Sequence, residues 1–218
     1  MIEHVVLLKV KENVSASETN TIVERVNSLI SLEHLLHLSM GPLFRIRSTP
    51  SSFNFTHMLH ARFNSIHDLH AYALHPTHLA LIKANAPFIH DIMALDWVAH
   101  HPPGGPVPPP ASALRVTFFK LKDGLGDHVR HEVLGAISGI EFKQAIQLTC
   151  GENLSPERAK GFSIASLAVF PGLRELEALD SNEEVGNYQK NEKIKQHLES
   201  VMVLDYVLPS PEVSSSSS

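Results

Sequence analysis

The chain repeats itself. Residues 3–11, EHVVLLKVK, align with residues 114–122, LRVTFFKLK, which sets His4 on Arg115, Val5 on Val116, and Lys9 and Lys11 on Lys120 and Lys122. Residues 92–98, IMALDWV, align with residues 201–207, VMVLDYV, so Asp96 falls on Asp205 and Trp97 on Tyr206. Between these ends, FTHMLHARF (55–63) lies on FSIASLAVF (162–170). Matches in the same order at a nearly constant offset make the two halves copies of one unit.

Each copy has a readable order. Its first segment is β-branched or aromatic with partial alternation, the pattern of a strand. A helix follows: Ser15 and Glu18 have capping-box spacing, and Ile22, Val26 and Leu29 form an apolar stripe. The counterpart from Gly126 to Ser138 puts Val129, Val133 and Ile137 on one face. Two strand-like stretches come next in the first copy, Leu38 to Arg47 and Phe55 to Phe63, separated by the polar turn STPSS. A second helix and a closing strand through Asp96 complete a β-α-β-β-α-β order, the ferredoxin-like arrangement.

That order creates an exposure problem. A four-stranded sheet with helices on one face leaves its other face open, an apolar patch that soluble monomers avoid. Two copies packed sheet to sheet remove it, whereas two independent beads would each keep a bare sheet. The fold class expected is therefore α+β, two ferredoxin-like units packed sheet to sheet as an intramolecular dimeric α/β barrel. The expected divisions are a first domain at 1–99, a linker at 100–112, a second domain at 113–209 with a degenerate site, and a disordered tail at 210–218. The linker HHPPGGPVPPPAS holds six prolines. In polyproline II form it would reach roughly 40 Å at about 3.1 Å per residue, enough to cross a small domain.

Composition narrows the classes. Of 218 residues, 43% are hydrophobic and 19% charged, which supplies an ordinary core. A net charge of −5 gives no footprint for nucleic acid or an anionic membrane, and no apolar run is long enough to span a bilayer. The single Cys150 rules out an intrachain disulfide framework and fits a reducing compartment. No leader precedes the first strand, which points to the cytoplasm. The terminal Ser216-Ser217-Ser218 lacks the pattern of a peroxisomal signal, so a peroxisome or plastid enters only if the chain is incomplete.

The stretches HVVLLKVK with His4, FTHMLHARF, the element His75-Pro76-Thr77-His78 inside AYALHPTH, and the closing LDW together resemble the stress-responsive A/B barrel family. The resemblance spans nearly the whole chain, once per half, as in tandem plant members. It implies a dimeric ferredoxin-like barrel in a stress- or defence-responsive protein. A more distant resemblance, to olivetolic acid cyclase, implies an enzyme that closes a linear polyketide by aldol condensation with a Tyr and a His.

On that resemblance Tyr72 and His78 match the cyclase pair, and His4 and His75 are further candidate ligand-binding residues. The residue before a proline avoids the α region, so the helix through Tyr72 should stop near His75. Pro76 suits the first position of a new helix, which holds His78 one turn in. His4 is expected to face the barrel interior with Val6 and Leu8. A Tyr hydroxyl and a neutral imidazole at an apolar cavity can polarise a carbonyl and take an adjacent proton. The same pair can instead serve only to cap the helix and satisfy buried polar groups. In the second copy, registered on Phe63 and Phe170, Tyr72 falls on Leu179, His75-Pro76 on Asn182-Glu183 and His78 on Val185. At most one site per chain survives.

Fifteen histidines, twelve of them before Pro102, are the compositional oddity. Pairs three apart recur at His34/His37, His57/His60, His67/His70 and His75/His78. On a helix that spacing can supply two zinc ligands, but His57 and His60 lie in a strand, where it puts them on opposite faces. No third ligand has suitable spacing. His67 and His70 read as part of a solvated helix face. The family resemblance also implies a magnesium ion held by backbone carbonyls of Leu29, Leu32 and Leu35 after the first helix, competing with a plain helix C-terminus; no other cofactor is expected.

Three functions stay open. The expected one is a stress-associated barrel that binds a small apolar ligand without catalysis. A cyclase- or lyase-like enzyme acting through Tyr72 and His78 on a polyketide-like compound is the alternative. A protein scaffold is third. The partners expected are the pseudo-dimer's own halves, with further homodimerisation open.

Overall fold

The computed structural model describes residues 1–49, 53–100, 102–140, 142, 144–181 and 191–210. In the first half the chain runs β1 (Ile2–Val10), α1 (Ala16–Asn27), β2 (Leu35–Pro42), β3 (Arg45–Thr49), β4 (His57–Phe63), α2 (Ile66–Leu74), α3 (Pro76–Asn85) and β5 (Ile89–Val98). The second half runs β6 (Ala113–Leu121), α4 (Asp127–Ser138), β7 (Gln147–Glu152), β8 (Ile164–Phe170), α5 (Leu173–Ser181), α6 (Glu192–Lys195) and β9 (Leu198–Val207). The polar turn at Pro50, Ser51 and Ser52, the positions Asn182, Glu183 and Val185, and the tail from 211 lie outside the described residues.

Local chemistry sets the helix ends. Ser15 and Glu18 form the full capping box on α1, and Ile22, Val26 and Leu29 are buried beneath it. Asp127 opens α4 after Gly126, and Val133 and Ile137 form its buried stripe. No helix among the described residues is long and apolar enough to cross a membrane.

Two antiparallel sheets result, in strand order β2-β4-β1-β5 and β3-β9-β6-β8-β7. They pack face to face over a shared core, to which Val5, Leu7, Leu95 and Trp97 contribute from one side and Val116, Phe118, Leu204 and Tyr206 from the other. Each sheet's opposite face is covered by its own helices, with separate cores around Val6, Ile22 and Phe63 and around Phe119, Val133 and Phe170. The bare face that the repeat predicted is thus covered by its copy.

Residues 38–47 do not form the single strand expected. The chain leaves the first sheet after Pro42, and β3 joins the second sheet beside β9, with Arg45 opposite Asp205. The Phe44 N–H donates to the Asp205 carbonyl at 2.9 Å. The other half returns the exchange: after β7 the Leu154 N–H donates to the Asp96 carbonyl at 2.7 Å. These two crossings tie the sheet edges together.

The linker also differs from the extended crossing expected. Gly104 and Gly105 take positive φ, 79° and 96°, and fold it into a turn closed by Gly105 N–H to Pro102 O. Its carbonyls then cover a buried polar network: Pro106 O accepts from Arg62 at 2.9 Å, and Gly105 O accepts from Gln147 at 3.1 Å. Deeper in, Glu3 accepts from His60 at 2.7 Å, Arg62 at 2.9 Å and Thr149 at 3.1 Å, and all four are buried. Burial alone would raise the Glu3 carboxyl, but His60 and Arg62 overcome it and hold it at about 2.

Candidate functional site

Alternation along β1 decides what each side chain meets. Glu3, Val5 and Leu7 point between the sheets, while His4, Val6 and Leu8 point at the helices. The expectation that His4 faces the barrel interior is therefore corrected. Both faces of β1 are apolar and buried, so alternation separates the two sets without saying which set meets the second sheet.

His4, Val6 and Leu8 form the floor of a cavity of about 560 Å³ between the first sheet and α1, α2 and α3. Its walls are mainly aliphatic, with Ile22, Val26, Leu29 and Leu59 among them. Tyr72 and His78 reach it across the helix break. His75 is extended, with ψ 132°, and both closes α2 and caps α3, while Pro76 occupies the first turn. The break sets the Tyr72 and His78 rings 4.3 Å apart, with His4 6.4 Å from Tyr72.

The polar groups are held in defined states. His78 Nδ1 lies 3.1 Å from the Ala73 carbonyl, which can only accept, so Nδ1 carries the proton and Nε2 keeps its lone pair. Burial lowers the His78 pKa against the opposing pull of that carbonyl, and the neutral ring is favoured. The Tyr72 hydroxyl makes no hydrogen bond among the described residues, and burial pushes its pKa up, so it stays a proton donor. His4 bonds Asp96 through Nδ1. Burial alone would raise the Asp96 carboxyl; His4, Ser155 and nearby Arg158 hold it below its ordinary value.

Part of this site comes from the second half. Ser155 donates its hydroxyl to Asp96, Asn153 Oδ1 accepts the Asp96 N–H at 3.1 Å, and Leu154, Ser155 and Arg158 line the cavity. Sequence reasoning missed Asp96 as a site residue and missed this segment altogether. The signal available was the repeat itself, since Ser155 stands where Arg45 stands in the first copy. Each closing-strand aspartate is bonded from both halves: Asp96 by His4 and Ser155, Asp205 by Arg115 and by Arg45 and Arg47.

The second copy shows the same frame with different contents. Arg115, in the place of His4, bonds Asp205 at 2.8 Å, and Arg45 and Arg47 cross over to the same carboxylate at 3.1 and 3.2 Å. Leu179, in the place of Tyr72, is buried among Phe119, Phe170 and Leu176.

The remaining candidates fall elsewhere. His75 is exposed, does not line the cavity, and accepts the Thr77 N–H at 3.2 Å, so its observed work is capping. His57 and His60 sit on opposite faces of β4, His60 with Glu3 between the sheets and His57 beside Thr56. No group of three His, Cys, Asp or Glu that could hold a metal occurs among the described residues. The Leu29 carbonyl accepts the Leu32 N–H at 2.9 Å within a 3-10 turn, and Leu35 lies in β2 opposite Phe63. Nothing in that arrangement calls for a cation.

A model of the Stress responsive A/B Barrel Domain matches residues 2–99 and 114–208. One stress-response A/B barrel domain-containing protein of Arabidopsis thaliana is 42% identical over 219 residues, which cover 99% of this chain and 82% of the relative. A second such protein of the same plant is 36% identical over 211 residues, 96% of this chain and 98% of the relative. The crystal structure of an anthrone oxidase-like protein superposes with a TM-score of 0.59 at 9% identity, covering 94% and 92% of the two chains. That likeness concerns the fold alone.

Proposed function

Because the chain belongs to the stress-responsive A/B barrel domain family, with two such domains joined as an intramolecular pseudo-dimer, we propose that it works as a binder of a small, largely apolar molecule. The cavity of the first half would hold that molecule. The observation that carries this reading is the cavity itself: about 560 Å³, lined mainly by aliphatic side chains, with the Tyr72 hydroxyl at its wall bonded to none of the described residues. That volume lies in the range of small-molecule pockets, and a few polar groups among apolar walls are what orient a bound molecule. Tyr72 would donate to a ligand oxygen, and His78 Nε2 would accept from a ligand hydroxyl.

The test uses N-phenyl-1-naphthylamine, a neutral apolar fluorophore, titrated into the intact protein. One molecule per chain should bind, and Val26→Phe, which adds a ring to the wall, should weaken it about tenfold. Binding that ignores Val26→Phe in a folded variant, or no binding at all, would contradict the reading.

A second reading is favoured by the fixed His78 tautomer. A free Nε2 beside a protonated Tyr72 can remove the acidic proton next to a carbonyl while the tyrosine hydroxyl polarises that carbonyl. On a linear poly-β-carbonyl compound the resulting enolate would attack a second carbonyl of the same molecule, forming a carbon–carbon bond and then losing water. Tyr72→Phe and His78→Ala test it: each should abolish ring closure, and turnover that survives both changes removes the acid–base assignment.

A further inference from the structure

Arg158 is the member of this site that an apolar pocket does not need. It belongs to a 3-10 turn of the second half (Pro156–Arg158), is exposed, and lines the first-half cavity. Its guanidinium makes no hydrogen bond or ion pair with any described residue. The neighbouring carboxylates are bonded by other groups. Lys160 bonds Asp91 at 2.8 Å, and Asp96 accepts from both His4 and Ser155. The Asp96 carboxylate lies near enough for Arg158 to lower its pKa but takes no hydrogen bond from it, so among the described residues the guanidinium's donors are uncommitted on a wall that is otherwise mainly aliphatic. The turn that carries it is held against the first half by the Asn153, Leu154 and Ser155 bonds to Asp96 and by the Lys160–Asp91 pair, so the guanidinium's position is part of the site.

We propose that the cavity takes an amphipathic monocarboxylic acid, its carboxylate on Arg158 and its apolar body against the aliphatic walls; the proposal rests on the ligand-binding reading above. A guanidinium presents a planar fork of donors that fits a carboxylate with two parallel hydrogen bonds. One fork of donors matches one carboxylate, whereas a phosphate dianion would bring a second negative charge toward the buried Asp96 carboxylate. The division of labour is then clear. The first half supplies the cavity and its Tyr and His, and the second half, which has Leu179 and Val185 at the matching positions, supplies the residue that selects the ligand's charge.

The experiment displaces N-phenyl-1-naphthylamine from the intact protein with decanoate and with decanol, which share one chain and differ in charge. In Arg158→Gln the decanoate dissociation constant should rise about tenfold, with decanol unchanged, and Arg158→Lys should restore most of the loss. Added NaCl should weaken decanoate alone. Arg158 is exposed, so unchanged thermal unfolding of the variants is expected and checks their integrity. If the fluorophore and decanol bind but decanoate does not, or if Arg158→Gln shifts both ligands equally or neither, the carboxylate assignment is overturned and the pocket stands. If neither the fluorophore nor either ligand binds, the pocket reading falls and this inference with it.

Discussion

His37 should make the protein's stability depend on pH in a way that one substitution removes. It is buried on β2, with its ring 5.0 Å from that of His60 and its Nε2 without a hydrogen-bond partner among the described residues. Burial, and then the nearby His60 and Arg62, lower its pKa from 6.5 to about 2, against the opposing pull of Glu3. A folded pKa below the unfolded value means the unfolded chain binds the proton more readily. The stability contributed is therefore full above pH 6.5 and is lost as pH falls below it. Each such histidine costs about 1.4 kcal/mol per pH unit well below 6.5, or about 2 kcal/mol between pH 7 and pH 5. His60, fully buried, has its pKa lowered by burial despite Glu3 and acts in the same direction. Urea unfolding of wild type and His37→Leu at pH 7 and pH 5 measures the effect. The variant should lose about 2 kcal/mol less than wild type over that interval. Equal losses would show that His37 is not held neutral and would refute the argument.

Two further substitutions probe how the halves meet. A Cβ on Gly151 would lie 2.9 Å from the Val98 carbonyl oxygen and 3.0 Å from the Trp97 side chain, while one on Gly41 would lie 3.2 Å from the Tyr206 ring. Gly151→Ala should cost about 1–3 kcal/mol and Gly41→Ala less, read as the order of their thermal midpoints. Asp205→Asn removes a carboxylate shared by Arg115, Arg45 and Arg47. It should cost about 3–5 kcal/mol in chemical denaturation, mostly through buried Arg115, because the other two are a third exposed and screened.

The architecture was legible because repetition and alternation are properties of spacing. Once EHVVLLKVK and LRVTFFKLK were aligned, the bare sheet face and its remedy followed from burial alone. The helix break at His75-Pro76 was legible for the same reason, since proline restricts the residue before it. Three features were hidden. The side that His4 faces was hidden because both faces of β1 are buried and apolar. The crossing at Phe44 was hidden because a strand that changes sheets keeps a strand's composition. Glu3, His60, Arg62 and Thr149 gave no local sign, since each reads as an ordinary polar position until its partners, up to 146 residues away, are brought beside it. Ser155 and Arg158 were missed likewise: a loop of the second copy carries no mark that it lines a cavity of the first.

The most direct test of the central claim, that the halves fold as one unit by covering each other's sheets, uses the protein's single tryptophan. Trp97 is fully buried in the core shared by the two sheets. Equilibrium urea unfolding should be followed by its fluorescence and by far-ultraviolet circular dichroism. Coincident transitions with one midpoint are predicted. Exposure of Trp97 while the circular dichroism of both halves persists would show that the sheets separate first and that each half stands alone.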